Sequence, residues 1–254
     1  MKFRVIIPAR HASTRLPGKP LLDLCGRPLI QHVYDRARAS GAEAVVIATD
    51  DERIRTAAEK FNARVRMTAA THASGADRIA EVVRREGYPD DDIIVNLQGD
   101  EPLMPGRAIR QVAELLASDH DASMATLCER ITEPRDVFDP GVVKVAMDAQ
   151  GRALYFSRAP IPWDRAHFQA AAASKWPVAQ PYFRHIGLYA YRAGFLKRYA
   201  DLPPCALEQT EQLEQLRALY YGAHIAVAEA EEPTGFGVDT PADLERLRRM
   251  LNSG

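Results

Sequence analysis

Cysteine and tryptophan are scarce in this chain of 254 residues, which contains three cysteines and two tryptophans. Cys25, Cys128 and Cys205 lie far apart, form no Cys-x-x-Cys pair and are odd in number. A disulfide framework is therefore not expected, and a reducing compartment fits this cysteine usage best. We expect each cysteine to be a small buried residue of the core.

An excess of charge of either sign is also missing. Lysine and arginine together number 33 against 34 acidic residues, which gives a formal net charge of −1 at pH 7. Because the chain has no global positive field, we expect neither nucleic acid nor an acidic membrane as a partner. Any anion-binding site must therefore be local.

Long hydrophobic runs are absent as well. No stretch approaches the ~18 apolar residues that a membrane helix needs. The first apolar run is interrupted by Lys2 and Arg4 and stops at Pro8, unlike a signal peptide. We therefore expect a cytoplasmic protein, and the length suffices for one large domain with a substantial core.

The first half of the chain alternates predicted strands with predicted helices. The predicted strands are Phe3–Ile7, Ala44–Ala48, Arg64–Met67 and Ile93–Leu97. The predicted helices are Pro28–Ser40, Asp51–Asn62, Ala76–Gly87 and Pro105–Ser118. Repeated strand–helix units imply an α/β fold with a parallel sheet and right-handed crossovers.

The second half is richer in strands. The predicted strands are Ala122–Cys128, Val142–Met147, Ala153–Ser157, His185–Tyr191 and Ile225–Ala228, and the predicted helices are Glu208–Tyr221 and Pro241–Leu251. The alanine-rich segment Ala166–Lys175 reads as a short helix or a mobile insertion. No linker marks a boundary, so residues 1–254 form one predicted domain, with a smaller strand-rich lobe over about 133–201.

A cationic loop follows the first predicted strand. Within Ile6–Leu21 it carries Arg10, Arg15 and Lys19, together with Ser13, Thr14 and Gly18. Arginine forks match phosphate oxygens and lysine supplies a point charge, so this loop is suited to a polyanion. It is not a Walker A motif, since one glycine precedes the lysine and a proline follows it. A solvated basic loop is the alternative, but open α/β folds bind ligands at this end of a strand.

Two separated aspartates form a second candidate site. Asp100 follows a buried strand and Gly99, whose lack of a side chain allows close backbone approach, and Asp239 precedes the last predicted helix. Magnesium takes one or two protein carboxylates together with phosphate oxygens, so these residues are candidate Mg²⁺ ligands. Two structural interpretations remain open: Asp239 as a helix cap, and Asp100 as an Asx-turn residue.

Seven segments, in order along the chain, resemble the 3-deoxy-D-manno-octulosonate (KDO) cytidylyltransferases, also called CMP-KDO synthetases. They are PARHASTRLPGKPL (8–21), THASGADRIAEV (71–82), VNLQGDEPLM (95–104), ALYFSRAPIPW (153–163), HIGLYAYR (185–192), LEQLR (213–217) and GVDTP (237–241). The first is shared with other sugar cytidylyltransferases, whereas ALYFSR and HIGLYAY favour KDO. The resemblance implies a mostly parallel, Rossmann-like nucleotidyltransferase sheet with helices on both faces.

The same resemblance implies a reaction and roles for residues. CMP passes from CTP to the anomeric 2-hydroxyl of KDO, pyrophosphate leaves, and CMP-KDO serves lipopolysaccharide biosynthesis. Lys19, Arg10, Asp100 and Asp239 are implied to be catalytic, the two aspartates as Mg²⁺ ligands. The implied nucleotide-binding residues are Ala9, Arg10, Arg15, Lys19, Ser74 and Gly75. The implied sugar-binding residues are Gln98, Arg158, His185, Tyr189, Glu214 and Gln215. A homodimer built through the smaller lobe is also implied.

Two alternatives stay open at this point. The chain could act on another acid sugar, such as 8-amino-KDO or sialate, because the first loop is shared. It could also be a CTP-binding regulatory module that has lost catalysis. Two departures from the family pattern, His11 and Ala76, lie near the implied nucleotide site and bear on affinity more than on reaction class.

Overall fold

The structure, a computed structural model, describes residues 1–12, 16–72, 74–165, 168 and 181–252. The strands are β1 (Arg4–Ala9), β2 (Asp23–Leu24), β3 (Arg27–Pro28), β4 (Ala44–Thr49), β5 (Arg64–Met67), β6 (Ile93–Asn96), β7 (Met124–Arg130), β8 (Lys144–Met147), β9 (Ala153–Ser157), β10 (Phe183–Arg192) and β11 (Ile225–Glu229). The helices are α1 (Leu29–Ala39), α2 (Glu52–Glu59), α3 (Gly75–Glu86), α4 (Gly106–Ser118), α5 (Pro134–Phe138), α6 (Ala193–Tyr199), α7 (Ala206–Glu211), α8 (Gln215–Tyr220) and α9 (Pro241–Asn252). A 3₁₀ turn covers Lys19–Leu21.

The main sheet follows the order β11-β7-β10-β6-β1-β4-β5, and β8 and β9 extend it from the start of β10. Strands β6, β1, β4 and β5 run parallel to one another, as do β7 and β11. The long strand β10 lies antiparallel between β6 and β7. The predicted α/β fold with a mostly parallel sheet is confirmed, and β10 is the element that joins its two parallel parts.

Both faces of the sheet are covered. Helices α1 and α4 pack Ile30, Val33 and Ile109 against one face, and α3 packs Ile79 and Val83 against the other. These side chains are fully buried. Strands β1, β4 and β6 are mostly apolar and buried because helices cover both faces of the sheet.

The predicted single helix Glu208–Tyr221 is wrong. Two short helices, α7 and α8, are separated at Gln212, whose φ of 54° is left-handed. An α-helix cannot continue through that conformation. The apolar spacing of Leu213 and Leu216 mimics one continuous helix because both residues lie in the same core cluster.

Other expectations need smaller corrections. Cys25 is exposed, because it lies in the tight β2–β3 hairpin with a positive φ of 53°, whereas Cys128 and Cys205 are buried as predicted. The bounds of most elements shift by one or two residues, and α5 and α6 were not predicted. The segment Ala166–Lys175 lies largely outside the described residues. Within the described part of the chain, no helix is long and apolar enough to cross a bilayer. The smaller lobe stays a prediction.

Candidate active site

Lys19 joins the two predicted metal-site aspartates at the carboxyl edge of the sheet. Its Nζ donates to Asp100 Oδ2 at 2.8 Å and to Asp239 Oδ1 at 3.0 Å. Burial opposes the charged form, but the two carboxylates outweigh burial, and the pKa of Lys19 rises above its ordinary value. Three residues separated by up to 220 positions thus meet as a trio of one cation and two anions.

The hydrogen bonds of neighbouring residues bear on the two structural interpretations, Asp239 as a helix cap and Asp100 as an Asx-turn residue. The side chain that caps α9 is that of Thr240, whose Oγ1 accepts from the backbone N–H of Asp243 at 3.2 Å, while Asp243 Oδ2 accepts from the N–H of Thr240 at 2.8 Å. The backbone N–H of Val238 donates to the carbonyl of Asp100 at 2.9 Å and so ties the two loops together. Both aspartate side chains accept from Lys19.

Gly99 lets this loop sit close to the first strand. A Cβ at position 99 would lie 2.9 Å from the carbonyl oxygen of Pro8, which is too close for any side chain. The predicted close backbone approach at this glycine is confirmed. It brings the end of β6 against the end of β1, where the cationic loop begins.

Glu101 is a residue of this region that the sequence reasoning missed. Burial, followed by the charges of Asp100 and Asp239, raises the pKa of Glu101 to about 7. It lines a cavity of about 230 Å³ together with Arg184, Thr234 and Phe236. Only its place beside Asp100 could have marked it, because sequence does not show how far a carboxyl is withdrawn from water.

The nucleotide-binding candidates lie where β1 meets the start of α3. Arg10 Nη2 donates to the carbonyl of His72 at 2.5 Å and to that of Ser74 at 3.1 Å. Ser74 Oγ accepts from the N–H of Asp77, and Asp77 returns the bond to the N–H of Ser74, which forms a capping box. Arg10 thus holds the loop whose backbone is predicted to read the base.

Gly75 and Ala9 complete this corner. A Cβ at Gly75 would lie 3.3 Å from Pro8 Cγ and 3.6 Å from Gln98 Oε1, so a side chain there would crowd the corner. Ala9, the last residue of β1, is buried. Arg15 lies outside the described residues, as do Ser13 and Thr14. The two departures are both accommodated: His11 packs against Gly18, and Ala76 is buried in the core.

Arg78 lies behind the same loop and is fully buried. Its Nη1 donates to Thr68 Oγ1 at 2.5 Å, and its Nη2 is 3.3 Å from Asp50 Oδ2. Burial lowers the pKa of Arg78. A solvated helix face, the ordinary expectation for an arginine on α3, is therefore wrong at this position.

The sugar-binding candidates on β10 form an aromatic wall. The rings of His185 and Tyr189 are 5.2 Å apart, and Phe156 packs edge-on to His185 at 4.9 Å. Burial lowers the pKa of His185 to about 3, so the imidazole is neutral at pH 7. Burial also holds the pKa of Tyr189 well above its ordinary range. This wall therefore offers neutral hydrogen-bonding groups.

The hydrogen bonds of Thr126 set the tautomer of His185. Thr126 Oγ1 lies 2.9 Å from the carbonyl oxygen of Ile186 and 2.8 Å from that of Leu188, so its single proton points at a carbonyl. His185 Nε2, 2.9 Å from the same oxygen, must then donate to it. Nδ1 is left as an acceptor.

The remaining sugar-binding candidates face the same region from other elements. Gln98 Nε2 donates to Asn96 Oδ1 at 3.3 Å. Glu214 forms a side-chain hydrogen bond with Ser74, and desolvation of its carboxyl raises its pKa. Gln215 is buried, and its Nε2 has no hydrogen-bond partner among the described residues. A buried donor without a partner is costly, which is typical of a group that binds a ligand.

Arg158 lies at the end of β9 and is held by backbone carbonyls. Its Nε donates to the carbonyl of Glu211 at 2.8 Å, and its Nη1 donates to that of Pro140 at 2.9 Å. The fold thus places the predicted sugar-carboxylate ligand directly after β9, which pairs with β8, and β8 pairs with β10.

Comparison with known proteins identifies the family. A family model described as cytidylyltransferase matches residues 4–225. The chain belongs to the cytidylyltransferase family.

Within this family, the similar curated proteins share one name. The protein of Thioalkalivibrio sulfidiphilus (strain HL-EbGR7), named 3-deoxy-manno-octulosonate cytidylyltransferase, is 58% identical over 253 residues, covering 100% of both chains. That of Idiomarina loihiensis, with the same name, is 53% identical over 254 residues, again covering 100% of both. This cytidylyltransferase is therefore a member of the 3-deoxy-manno-octulosonate branch, as the sequence resemblance predicted.

Solved structures agree with this placement. A structure of CMP:2-keto-3-deoxy-manno-octonic acid synthetase complexed with CTP matches with a TM-score of 0.89 at 42% identity, over 100% of this chain and 99% of that one. A 4-diphosphocytidyl-2C-methyl-D-erythritol synthase matches with a TM-score of 0.64 at 14% identity, over 98% of each chain. The second likeness, at this low identity, shows a shared fold.

The residues present fit the magnesium ion that the resemblance implies. Asp100 and Asp239 both contact the ammonium group of Lys19, so the three side chains together carry one positive and two negative charges. The excess negative charge favours the binding of a cation. Among the residues that the structure describes, no three His, Cys, Asp or Glu side chains form a metal-holding group. An ion here would therefore rely on two carboxylates, water and phosphate oxygens, as magnesium commonly does.

Proposed function

We propose that this cytidylyltransferase transfers CMP from CTP to the anomeric 2-hydroxyl of KDO and releases pyrophosphate. The observation that carries the proposal is the convergence of Lys19, Asp100 and Asp239 at the end of β1 and β6. The names of its full-length relatives support the choice of substrates.

The nucleotide is held on one side of this trio. The backbone around Ala9, Ser74 and Gly75 reads the cytosine, because N–H and C=O groups distinguish an amino from a keto group without charge. Arg10 fixes that backbone through the carbonyls of His72 and Ser74. Lys19, with Arg15, binds the triphosphate and stabilises the charge that develops on departing pyrophosphate.

The sugar acid is held on the other side. Arg158 binds its carboxylate, because a guanidinium fork matches two carboxylate oxygens. His185 Nδ1 accepts from a sugar hydroxyl, the tautomer that Thr126 enforces. Gln215 Nε2 donates to another hydroxyl, which satisfies its buried N–H group. Gln98, Tyr189 and Glu214 supply further hydrogen bonds.

Asp100 and Asp239 hold Mg²⁺ in this proposal. A bound Mg²⁺ neutralises charge on the α-phosphate and lowers the pKa of the attacking hydroxyl. The contribution of the chain itself is positioning: the two substrates are brought to one point at the sheet edge, which converts a bimolecular reaction into one within a complex.

The proposal extends to the setting of the reaction. CMP-KDO is an activated sugar for lipopolysaccharide biosynthesis, and CTP is a cytoplasmic nucleotide, so we place the enzyme in the cytoplasm.

The test is pyrophosphate release from CTP and Mg²⁺ with KDO, 8-amino-KDO and sialate as parallel acceptors. Release with KDO well above the other two supports the proposal. Release with another acid alone keeps the mechanism and replaces the substrate. Binding of CTP without release for any acceptor would contradict the proposal and favour a regulatory module.

A further inference from the structure

The carboxylate of Glu211 accepts hydrogen bonds from the side chain of Ser157 and from the backbone of Arg158. Glu211 Oε1 accepts from Ser157 Oγ at 2.6 Å, and Oε2 accepts from the N–H of Arg158 at 2.9 Å. The carbonyl oxygen of Glu211 accepts from Arg158 Nε at 2.8 Å. Glu211 therefore contacts Arg158 at its backbone N–H and at its guanidinium group, and it also contacts the hydroxyl of the preceding residue, Ser157.

Arg158 is left with a defined binding edge. Nε is taken by Glu211, and Nη1 donates to the carbonyl of Pro140. Nη2 has no hydrogen-bond partner among the described residues. Because Nε and Nη1 donate to backbone carbonyls and not to a carboxylate, the guanidinium can present Nη2 to an anionic ligand.

Glu211 also connects this arginine to the opposite side of the sugar site. It is the last residue of α7, and the left-handed Gln212 follows it before Glu214 and Gln215 begin α8. The hydrogen bonds of Glu211 thus fix the distance between the end of β9 and the start of α8. A shift of this joint would move Arg158 relative to the hydroxyl-binding groups.

Two cations, Arg158 and Lys144, lie near Glu211. Replacing Glu211 therefore distinguishes a role through charge from a role through hydrogen bonding. Lys144, fully buried beside it, is paired with Ser157 across the β8–β9 ladder and donates to the carbonyls of Asp139 and Val142. Glu211 is therefore the negative charge between two cations. If it acted only through charge, its loss would make the site more positive and strengthen carboxylate binding. If it acts as a clamp, its loss weakens that binding.

We propose that Glu211 is a positioning residue that orients Arg158 toward the carboxylate of the sugar acid and sets the spacing between Arg158 and the Glu214–Gln215 pair. The inference rests on the proposed function, since it assumes that Arg158 binds the sugar carboxylate.

The experiment compares the steady-state kinetics of five variants with varied KDO and varied CTP. Glu211→Gln keeps the size and the backbone carbonyl but loses the charge and one acceptor. We expect its KM for KDO to rise about 10-fold, its KM for CTP to change less than about twofold, and its melting temperature to stay near that of the parent. Ser157→Ala removes one clamp contact only, and we expect a rise of about threefold.

The control for a merely structural role is Glu208→Gln, the same substitution in the same helix. It breaks the buried pair between Glu208 and Arg217, in which Nε lies 2.7 Å from Oε2. We expect a lower melting temperature and no selective rise in the KM for KDO.

Arg158→Ala and the double variant Arg158→Ala/Glu211→Gln separate the possible failures. If Glu211 acts through Arg158, the double variant binds KDO no worse than Arg158→Ala alone. An unchanged or lower KM for KDO in Glu211→Gln, with a raised KM in Arg158→Ala, overturns the inference and leaves the proposed function standing. An unchanged KM in Arg158→Ala overturns the proposed role of Arg158 and the inference with it.

Discussion

At the scale of single residues, the site is governed by which charges the fold brings together and which groups it keeps neutral. Lys19 is only 8% exposed and yet charged, because two carboxylates stabilise it. His185 is neutral, because burial disfavours its charged form and no anion among the described residues offsets that cost. Burial disfavours the charged form of both side chains. Lys19 stays charged because Asp100 and Asp239 stabilise it, whereas burial leaves His185 neutral.

Replacing Lys19 by methionine tests its phosphate role. Lys19→Met keeps the length of the side chain, removes the charge, and leaves Asp100 and Asp239 without their shared cation. We expect the KM for CTP to rise by about 10- to 100-fold and the KM for KDO to change far less. Equal losses in both constants would contradict a role of Lys19 on the triphosphate.

The pKa of His185 gives a prediction with a definite sign. A histidine whose pKa falls from its ordinary value of 6.5 to about 3 on folding binds fewer protons in the native than in the unfolded state between those values. Its contribution to stability is therefore full above pH 6.5 and is lost as the pH falls toward 3. An NMR titration should find the ring neutral throughout pH 5–8, and a midpoint near 6.5 would refute this.

At the scale of elements, the strand ends were the most predictable part of the molecule. Asp100 and the loop of Lys19 follow buried strands, and parallel strands end at one edge of a sheet, so their meeting could be foreseen. The break at Gln212 could not, because apolar spacing does not report a left-handed residue. The antiparallel direction of β10 could not be predicted either, because the residues of a strand do not indicate its direction relative to neighbouring strands. Glu101 and Glu211 were missed because their importance lies in burial and contact.

The joint at Gln212 is testable through its backbone conformation. Its φ of 54° is tolerated by glutamine but strained for a β-branched residue. We expect Gln212→Val to lower the free energy of unfolding by about 1–2 kcal/mol, whereas Gln212→Gly costs less than ~0.5 kcal/mol. Chemical denaturation of both variants provides the measurement. Equal stabilities would show that the α7–α8 joint is not strained.

At the scale of the whole molecule, homodimerisation through the smaller lobe stays a prediction of the family resemblance. Two large apolar side chains of that region are open to water in the single chain, Leu154 at 63% and Trp163 at 60% exposure. We expect light scattering to give twice the mass of the chain at micromolar concentration, and Leu154→Glu to shift the protein toward monomer. A monomeric parent protein would refute the dimer.

In the proposed function, Lys19, Asp100 and Asp239 form one catalytic centre, although Asp239 lies 220 positions from Lys19. The most direct measurement is pyrophosphate release by Asp239→Asn at saturating CTP, KDO and Mg²⁺, with the melting temperature recorded alongside. We predict a loss of about 10³-fold in kcat with little change in melting temperature, because the capping box of α9 is formed by Thr240 and Asp243. A variant that turns over at a near-normal rate would contradict the claim.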